Sequence, residues 1–335
     1  MTKAAMIAAA GLAALGIPRY LAFRKKLATV APELRTPAMI PWLVPMNTRT
    51  LPYHRALMSF KSKPEPGVAM TERHVEDSDV EVVVLAPVHR SAPAPGVLWL
   101  HGGAMCAGTA QLEVQPTSRL VEPLGAVAVL PNYRLAPENP FPAGLDDCLA
   151  TLRWMVKHAD ELGIDPDCIA VAGASAGGGL AAAVAQRAFD DGISLRAQAM
   201  VYPMLDDRTA LRTDFAGRGE LTWRPASNKW AWTAYLGREP RMSDAPEYAA
   251  PARRTDLAGL PPAWIGIGDL DTYFDENVAY AERLKAAGVP CELVIVPGMY
   301  HVADGVAQNA PSMKRFHASM VGFLRTHLNA SPISS

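Results

Sequence analysis

From about residue 80 the chain alternates short apolar runs with helical stretches, and this alternation constrains its fold more than any other feature. Residues 80–85 alternate as a half-exposed strand does, and 97–100 read as a buried one. The runs at 126–130, 169–171, 197–202, 263–267 and 293–296 continue the series, each bounded by glycine, proline or polar turn residues. Between them the spacing predicts helices over 145–161, 179–189, 277–287 and 312–328. Parallel strands need crossovers, and strands buried on both faces need helices over them. The expected fold class is therefore α/β, a mostly parallel central sheet with helices on both faces.

Two regions break the rhythm. They are residues 1–70 and an insertion at about 206–254 that holds Trp223, Trp230, Trp232 and Tyr235, with a helical stretch at 226–236. Insertions between strands of an open sheet sit above the carboxyl ends, where ligands bind, so the two are read together as a helical cap. The rest, 71–335, is one sheet domain carrying the insertion. Half of the 335 residues are apolar, enough for one large core.

Lys and Arg number 32 against 33 Asp and Glu, for a net charge of −1. That balance offers no footprint for nucleic acid or an anionic surface, and it points to a small, weakly charged partner. Cys106, Cys148, Cys168 and Cys291 lie far apart with no CxxC pair, so neither a zinc site nor a disulfide framework is expected. Cys106 stands apart from the others because it falls in the loop discussed next.

The chemistry-bearing motif follows the run at 169–171. Gly173, Ala174, Ser175, Ala176 and Gly177 form a GxSxG between a strand and an alanine-rich helix, the pattern of a nucleophile elbow. A serine thrust up at such a turn needs a strained backbone, and the glycines two before and two after it remove the side chains that would clash. The helix N-terminus behind it favours negative charge. Directly after the run at 97–100 come His101, Gly102, Gly103 and Ala104, an HGGG-type loop whose amides form half of an oxyanion hole. The expected donors are the amides of Gly103, Ala104 and Ala176; all are backbone groups, so an alanine at 104 is tolerable if its φ is negative. His101 is read as holding the loop by hydrogen bonds.

Where this elbow occurs, an acid and then a histidine follow the serine in the chain. Only His301, His317 and His327 come later, and His301 lies just after the run at 293–296 while the others fall on the last helix. The acid should follow 263–267, where Asp269, Asp271, Asp275 and Glu276 stand. Spacing does not separate Asp269 from Asp271.

These motifs resemble the hormone-sensitive-lipase-like family, the bacterial family IV carboxylesterases of the α/β-hydrolase superfamily, from about Val80 to the C-terminus. NYRLAPENPFPA at 132–143 is similar to the family's YRLAPExPFPA, DPDCIAVAG at 165–173 to its lead-in to the elbow, and GMYH at 298–301 to its GMxH. Tyr202–Pro203 and LAGLPP at 257–262 match further landmarks. DTYFDE at 271–276 aligns with a DPLxDE motif whose first aspartate is the triad acid, which implies Asp271. Two departures are Ala104, where the family has glycine, and Ala174, where it has Asp or Thr. The resemblance implies a serine esterase for short- to medium-chain carboxylic esters, working through Ser175, His301 and Asp271 without metal or cofactor. An amidase, lactonase or deacetylase on the same residues is the alternative within that chemistry. A receptor-like binding protein is the alternative outside it, and the presence of His301 speaks against it.

Residues 4–17 are almost continuously apolar, between Lys3 and Arg19. The stretch falls short of the roughly 20 residues needed to span a bilayer, and no AxA-like cleavage site follows it. It is read as a helix packing on the body of a cytoplasmic protein, with attachment to a membrane surface as the alternative. Self-association as a homodimer is left open.

Overall fold

In the computed structural model, which describes residues 16–76 and 78–328, eight strands form one sheet in the order β1-β2-β4-β3-β5-β6-β7-β8. The strands are β1 (Val68–His74), β2 (Glu81–Pro87), β3 (Ala94–Leu100), β4 (Val127–Pro131), β5 (Ile164–Ala174), β6 (Ala197–Val201), β7 (Ala263–Gly268) and β8 (Cys291–Val296). Pairing is antiparallel for β1 with β2 and β2 with β4, and parallel from β4 through β3 to β8. Strands β4, β6 and β7 are buried at every residue, as central parallel strands with both faces covered must be.

Each strand expected from the apolar runs is present within a few residues. Among the elements not expected are an edge strand and a helix between β3 and β4. Strand β1 buries only Val68, so it shows no core-facing alternation, and its charged residues suit an edge. It spans 68–74, so the boundary set at residue 70 falls inside a strand of the sheet. Helix α3 (Val114–Leu124) is obscured by Pro116 and Pro123. Pro116 sits in the first turn, where amides lack helical acceptors anyway, and Gly125 at φ 61° ends the helix.

The remaining helices are α1 (Gly16–Thr29), α2 (Leu51–Met58), α4 (Ala143–Lys157), α5 (Ala159–Leu162), α6 (Ala176–Asp190), α7 (Pro225–Leu236), α8 (Phe274–Ala286), α9 (Ala303–Val306) and α10 (Pro311–His327). The helix expected over 145–161 is broken at His158 into α4 and α5. On one face α3 packs with α10, and on the other α4 packs with α6. Trp264 of β7 and Phe316 of α10 are fully buried and meet edge to face at 5.2 Å.

The described part of the N-terminal segment lies against both the sheet domain and the insertion. Ala31 N donates to Gly298 O at 3.1 Å, and Tyr300 Oη to Leu34 O at 3.1 Å. Met46 N donates to Ser227 Oγ at 3.0 Å and Trp230 Nε1 to Thr48 Oγ1 at 2.9 Å, joining the segment to α7. Most of the N-terminal apolar stretch, residues 4–15, lies outside the described residues. Among those described, no helix is long and apolar enough to cross a membrane.

Candidate active site

Ser175 stands between β5 and α6 at φ 56° and ψ −117°, a conformation that costs an L-residue about 1–3 kcal/mol. The surroundings hold it there: Ser175 N donates to Val201 O at 2.8 Å, and Met204 N donates to Ser175 O at 3.0 Å. A Cβ on Gly173 would collide with the backbone of Gly177, and one on Gly177 with the carbonyl of Leu100 at the end of β3. The glycines flanking the serine are thus required by backbone-to-backbone contact, as the motif suggested. Gly177→Ala is expected to destabilise the protein by about 3–5 kcal/mol, because rigid main chain on both sides cannot give way. Gly322→Ala, at a half-buried position of α10 with nothing near its Cβ, is expected to stabilise by about 1 kcal/mol. Urea midpoints of the two variants check the contrast.

The loop after β3 is held from beneath. His101, 2% exposed, is kept neutral because burial lowers its pKa to about 4. Its Nδ1 lies 2.7 Å from Gly102 O, and since a carbonyl only accepts, Nδ1 carries the proton. The imidazole stacks on Tyr133 at 4.1 Å, and Tyr133 Oη donates to His101 O at 2.7 Å. These contacts tie His101 to the loop and to Tyr133 beneath it.

Ala104 corrects one expectation. Its φ is 60°, not negative, and Met105 follows at 61°. Cys106 N and Ala107 N both donate to Gly103 O, at 3.0 and 2.9 Å, closing a turn in which 104 and 105 are left-handed, at about 1 kcal/mol each. Arg55 of α2 braces the turn from outside, with Nε donating to Cys106 O at 2.9 Å and the guanidinium paired with Glu138. The amides of Gly103, Ala104 and Ala176 find no acceptor among the described residues. Cys106 is buried, and burial pushes its thiol up to about 12, so it is an inert packing residue.

Glu113 lies behind the same loop, its Oε2 accepting from Trp99 Nε1 at 3.3 Å. Burial lifts its carboxyl from 4.5 to about 7, Asp304 adds to the rise, and the Trp99 N–H and Gly102 amide oppose it. The folded form therefore holds this proton more tightly than the unfolded chain. Its contribution to stability is full below about 4.5 and is lost as pH climbs through about 7. Glu113→Gln is expected to flatten the fall in thermal midpoint between pH 5 and pH 8; an unchanged pH slope would contradict this.

His301 and Asp271 leave the carboxyl ends of β8 and β7. Ser175 Oγ lies 2.8 Å from His301 Nε2, and His301 Nδ1 lies 2.7 Å from Asp271 Oδ2. Serine, histidine and aspartate are 7%, 5% and 1% exposed, so the three are shielded together from water. Asp271 Oδ1 accepts from Tyr273 N at 3.0 Å, leaving Oδ2 for the imidazole. Asp269 is turned elsewhere, its Oδ1 accepting from Gly298 N at 2.7 Å. The geometry thus separates the two aspartates that spacing could not. Tyr202, Tyr273 and Trp223 surround the imidazole at ring distances of 4.6, 5.4 and 6.1 Å, and Tyr202 Oη donates to Asp304 Oδ1 at 2.6 Å. Sequence reasoning assigned no role to Tyr273, Glu113 or Arg55, and placed Trp223 only in the cap.

Residues 97–304 match the family described as alpha/beta hydrolase fold. Carboxylesterase NlhH of Mycobacterium tuberculosis is 38% identical over 255 residues, covering 73% of this chain and 79% of that protein. Esterase LipI of the same organism is 36% identical over 224 residues, covering 66% and 69%. The solved structure of a bacterial heroin esterase superposes with a TM-score of 0.82 at 35% identity, over 90% of this chain and 99% of that one. With the strand order, the elbow and these likenesses together, the chain belongs to the alpha/beta hydrolase fold family, in its hormone-sensitive-lipase-like branch of carboxylic ester hydrolases.

Proposed function

We propose that the protein is a serine carboxylesterase that hydrolyses short- to medium-chain esters through Ser175, His301 and Asp271. The observation that carries this reading is the unbroken relay from Ser175 Oγ to His301 Nε2 to Asp271 Oδ2, at 2.8 and 2.7 Å. A carboxylate only accepts, so His301 Nδ1 bears the proton and Nε2 is left to take the one on Ser175. Ser175 Oγ attacks the ester carbonyl while His301 receives its proton, and the amides of Gly103, Ala104 and Ala176 hold the oxyanion. His301 then protonates the departing alcohol, water adds to the acyl-enzyme by the same path, and the acid is released. Asp271 keeps the imidazole in the required tautomer and stabilises its cationic form. No step needs a metal or cofactor.

The same reading assigns the described segment before β1, residues 16–67, and the insertion at about 206–254 to a cap over the strand ends. Ser175 is itself 7% exposed, and the buried ring of Trp223 lies 6.1 Å from that of His301, a closed setting that favours compact acyl groups over long chains. A series of p-nitrophenyl esters from acetate to palmitate, with Ser175→Ala as the blank, tests this. Turnover is expected on the short and medium esters with a steep fall at palmitate. No turnover above the blank on any ester would refute the reading, and a maximum at palmitate would refute its chain-length part.

A further inference from the structure

The insertion between β6 and β7 is bound to both loops that carry the candidate acid and base. Thr222 Oγ1 donates to the carbonyl of His301 itself at 2.6 Å. Thr272, next in the chain to Asp271 and 2% exposed, donates from Oγ1 to the carbonyl of Trp223 at 2.7 Å. Thr222 and Trp223 are adjacent, so two neighbouring residues join the base's own backbone to the acid's neighbour.

The attachment extends around Asp271. Gly219 N donates to Leu270 O at 2.9 Å, and Arg218 Nε to Asp269 O at 3.2 Å while its Nη1 pairs with Asp275 at 2.9 Å. Tyr273 Oη donates to Asn228 Oδ1 at 3.0 Å, and both residues are fully buried. Leu270 and Thr272 on either side of Asp271, and Asp269 and Tyr273 one step further out, are thus all tied to residues 218–228. The approach is close enough that a Cβ on Gly219, at φ 69°, would collide with the hydroxyl of Thr272.

Asp271 and His301 come from different strands, and the bond between them is only as well aligned as the two loops. Displacements on the order of 1 Å in such a pair cost about 100-fold in rate. Packing alone would be served by apolar contacts, whereas here directed hydrogen bonds converge on the residues that set the carboxylate and imidazole. We propose that residues 218–228 form a strap that fixes the register of Asp271 against His301, with Thr222 and Thr272 as its positioning residues. This rests on the reading of Ser175, His301 and Asp271 as the reacting groups.

The test compares Thr222→Val and Thr272→Val, which keep the shape and remove the hydroxyl, with Thr222→Ser and Thr272→Ser, which keep the hydroxyl. Turnover of p-nitrophenyl butyrate is normalised to sites titrated with a fluorophosphonate, so that misfolded protein does not count. Each valine variant is expected to lose about tenfold in kcat with KM within about twofold. The downfield proton resonance of the His301–Asp271 hydrogen bond should shift in the valine variants, and the serine variants should restore both signals. The proposal is overturned if the valine variants keep wild-type kcat and resonance, if only their thermal midpoint or KM changes, or if the serine variants fall as far. Retained turnover in Ser175→Ala is a different result and would remove the underlying reading itself.

Discussion

Ser175→Ala is expected to lower kcat on p-nitrophenyl butyrate by about 10⁶-fold while leaving the thermal midpoint within a few degrees of the native value. The loss is large because nothing else nearby can form the acyl-enzyme: Cys106 is buried with its thiol held protonated, and His101 is turned to Gly102 O beneath the loop. The fold should survive because the alanine keeps the Cβ already accommodated at φ 56°, and the backbone bonds to Val201 and Met204 do not involve the hydroxyl. The remaining amides of the oxyanion loop should leave a residual rate of about 10³–10⁴ over water. Steady-state kinetics at high enzyme concentration and a melting curve check both halves.

Asp271→Asn is expected to cost about 10⁴-fold in kcat. An amide in place of the carboxylate can present its NH₂ to Nδ1, which favours the tautomer that blocks Nε2 from accepting the serine proton. It also withdraws the charge that stabilises the imidazolium. Asp269→Asn is the paired control. Its oxygen accepts only the Gly298 amide, a role an asparagine carbonyl fills, so kcat should stay within about threefold. The contrast matters because the two aspartates are two residues apart on one loop. Equal losses in both variants would contradict the assignment.

The strands that were legible follow from side-chain pattern: β3, β5, β7 and β8 announce themselves as apolar runs. Ser175 and His301 were picked out by what stands at the carboxyl ends of β5 and β8, and the structure brings them within 2.8 Å of each other. The choice of Asp271 was different: spacing left Asp269 open, a motif resemblance favoured Asp271, and the carboxylate directions separate them. The condition placed on Ala104 failed: its φ is 60°, in a turn that closes on Gly103 O, and the conformation of such a turn is not reported by any single letter. Strand β1 was missed because an exposed edge strand has no buried alternation to detect.

The strap was illegible for a further reason. Thr222 and Thr272 donate to backbone carbonyls 79 and 49 positions away, and every residue type offers the same carbonyl. One partial signal existed: the stretch DTYFDE carries Thr272 and Tyr273 where the DPLxDE motif has proline and leucine, two side chains that could make neither bond. Only the folded chain shows what the exchange gains.

The most direct test of the central claim is the intact mass of the protein after reaction with a fluorophosphonate, followed by mapping of the modified peptide. The account predicts one adduct per chain, on Ser175, with labelling slowed by several orders of magnitude in His301→Ala. An adduct on another residue, or ester turnover that persists once Ser175 is fully labelled, would contradict it.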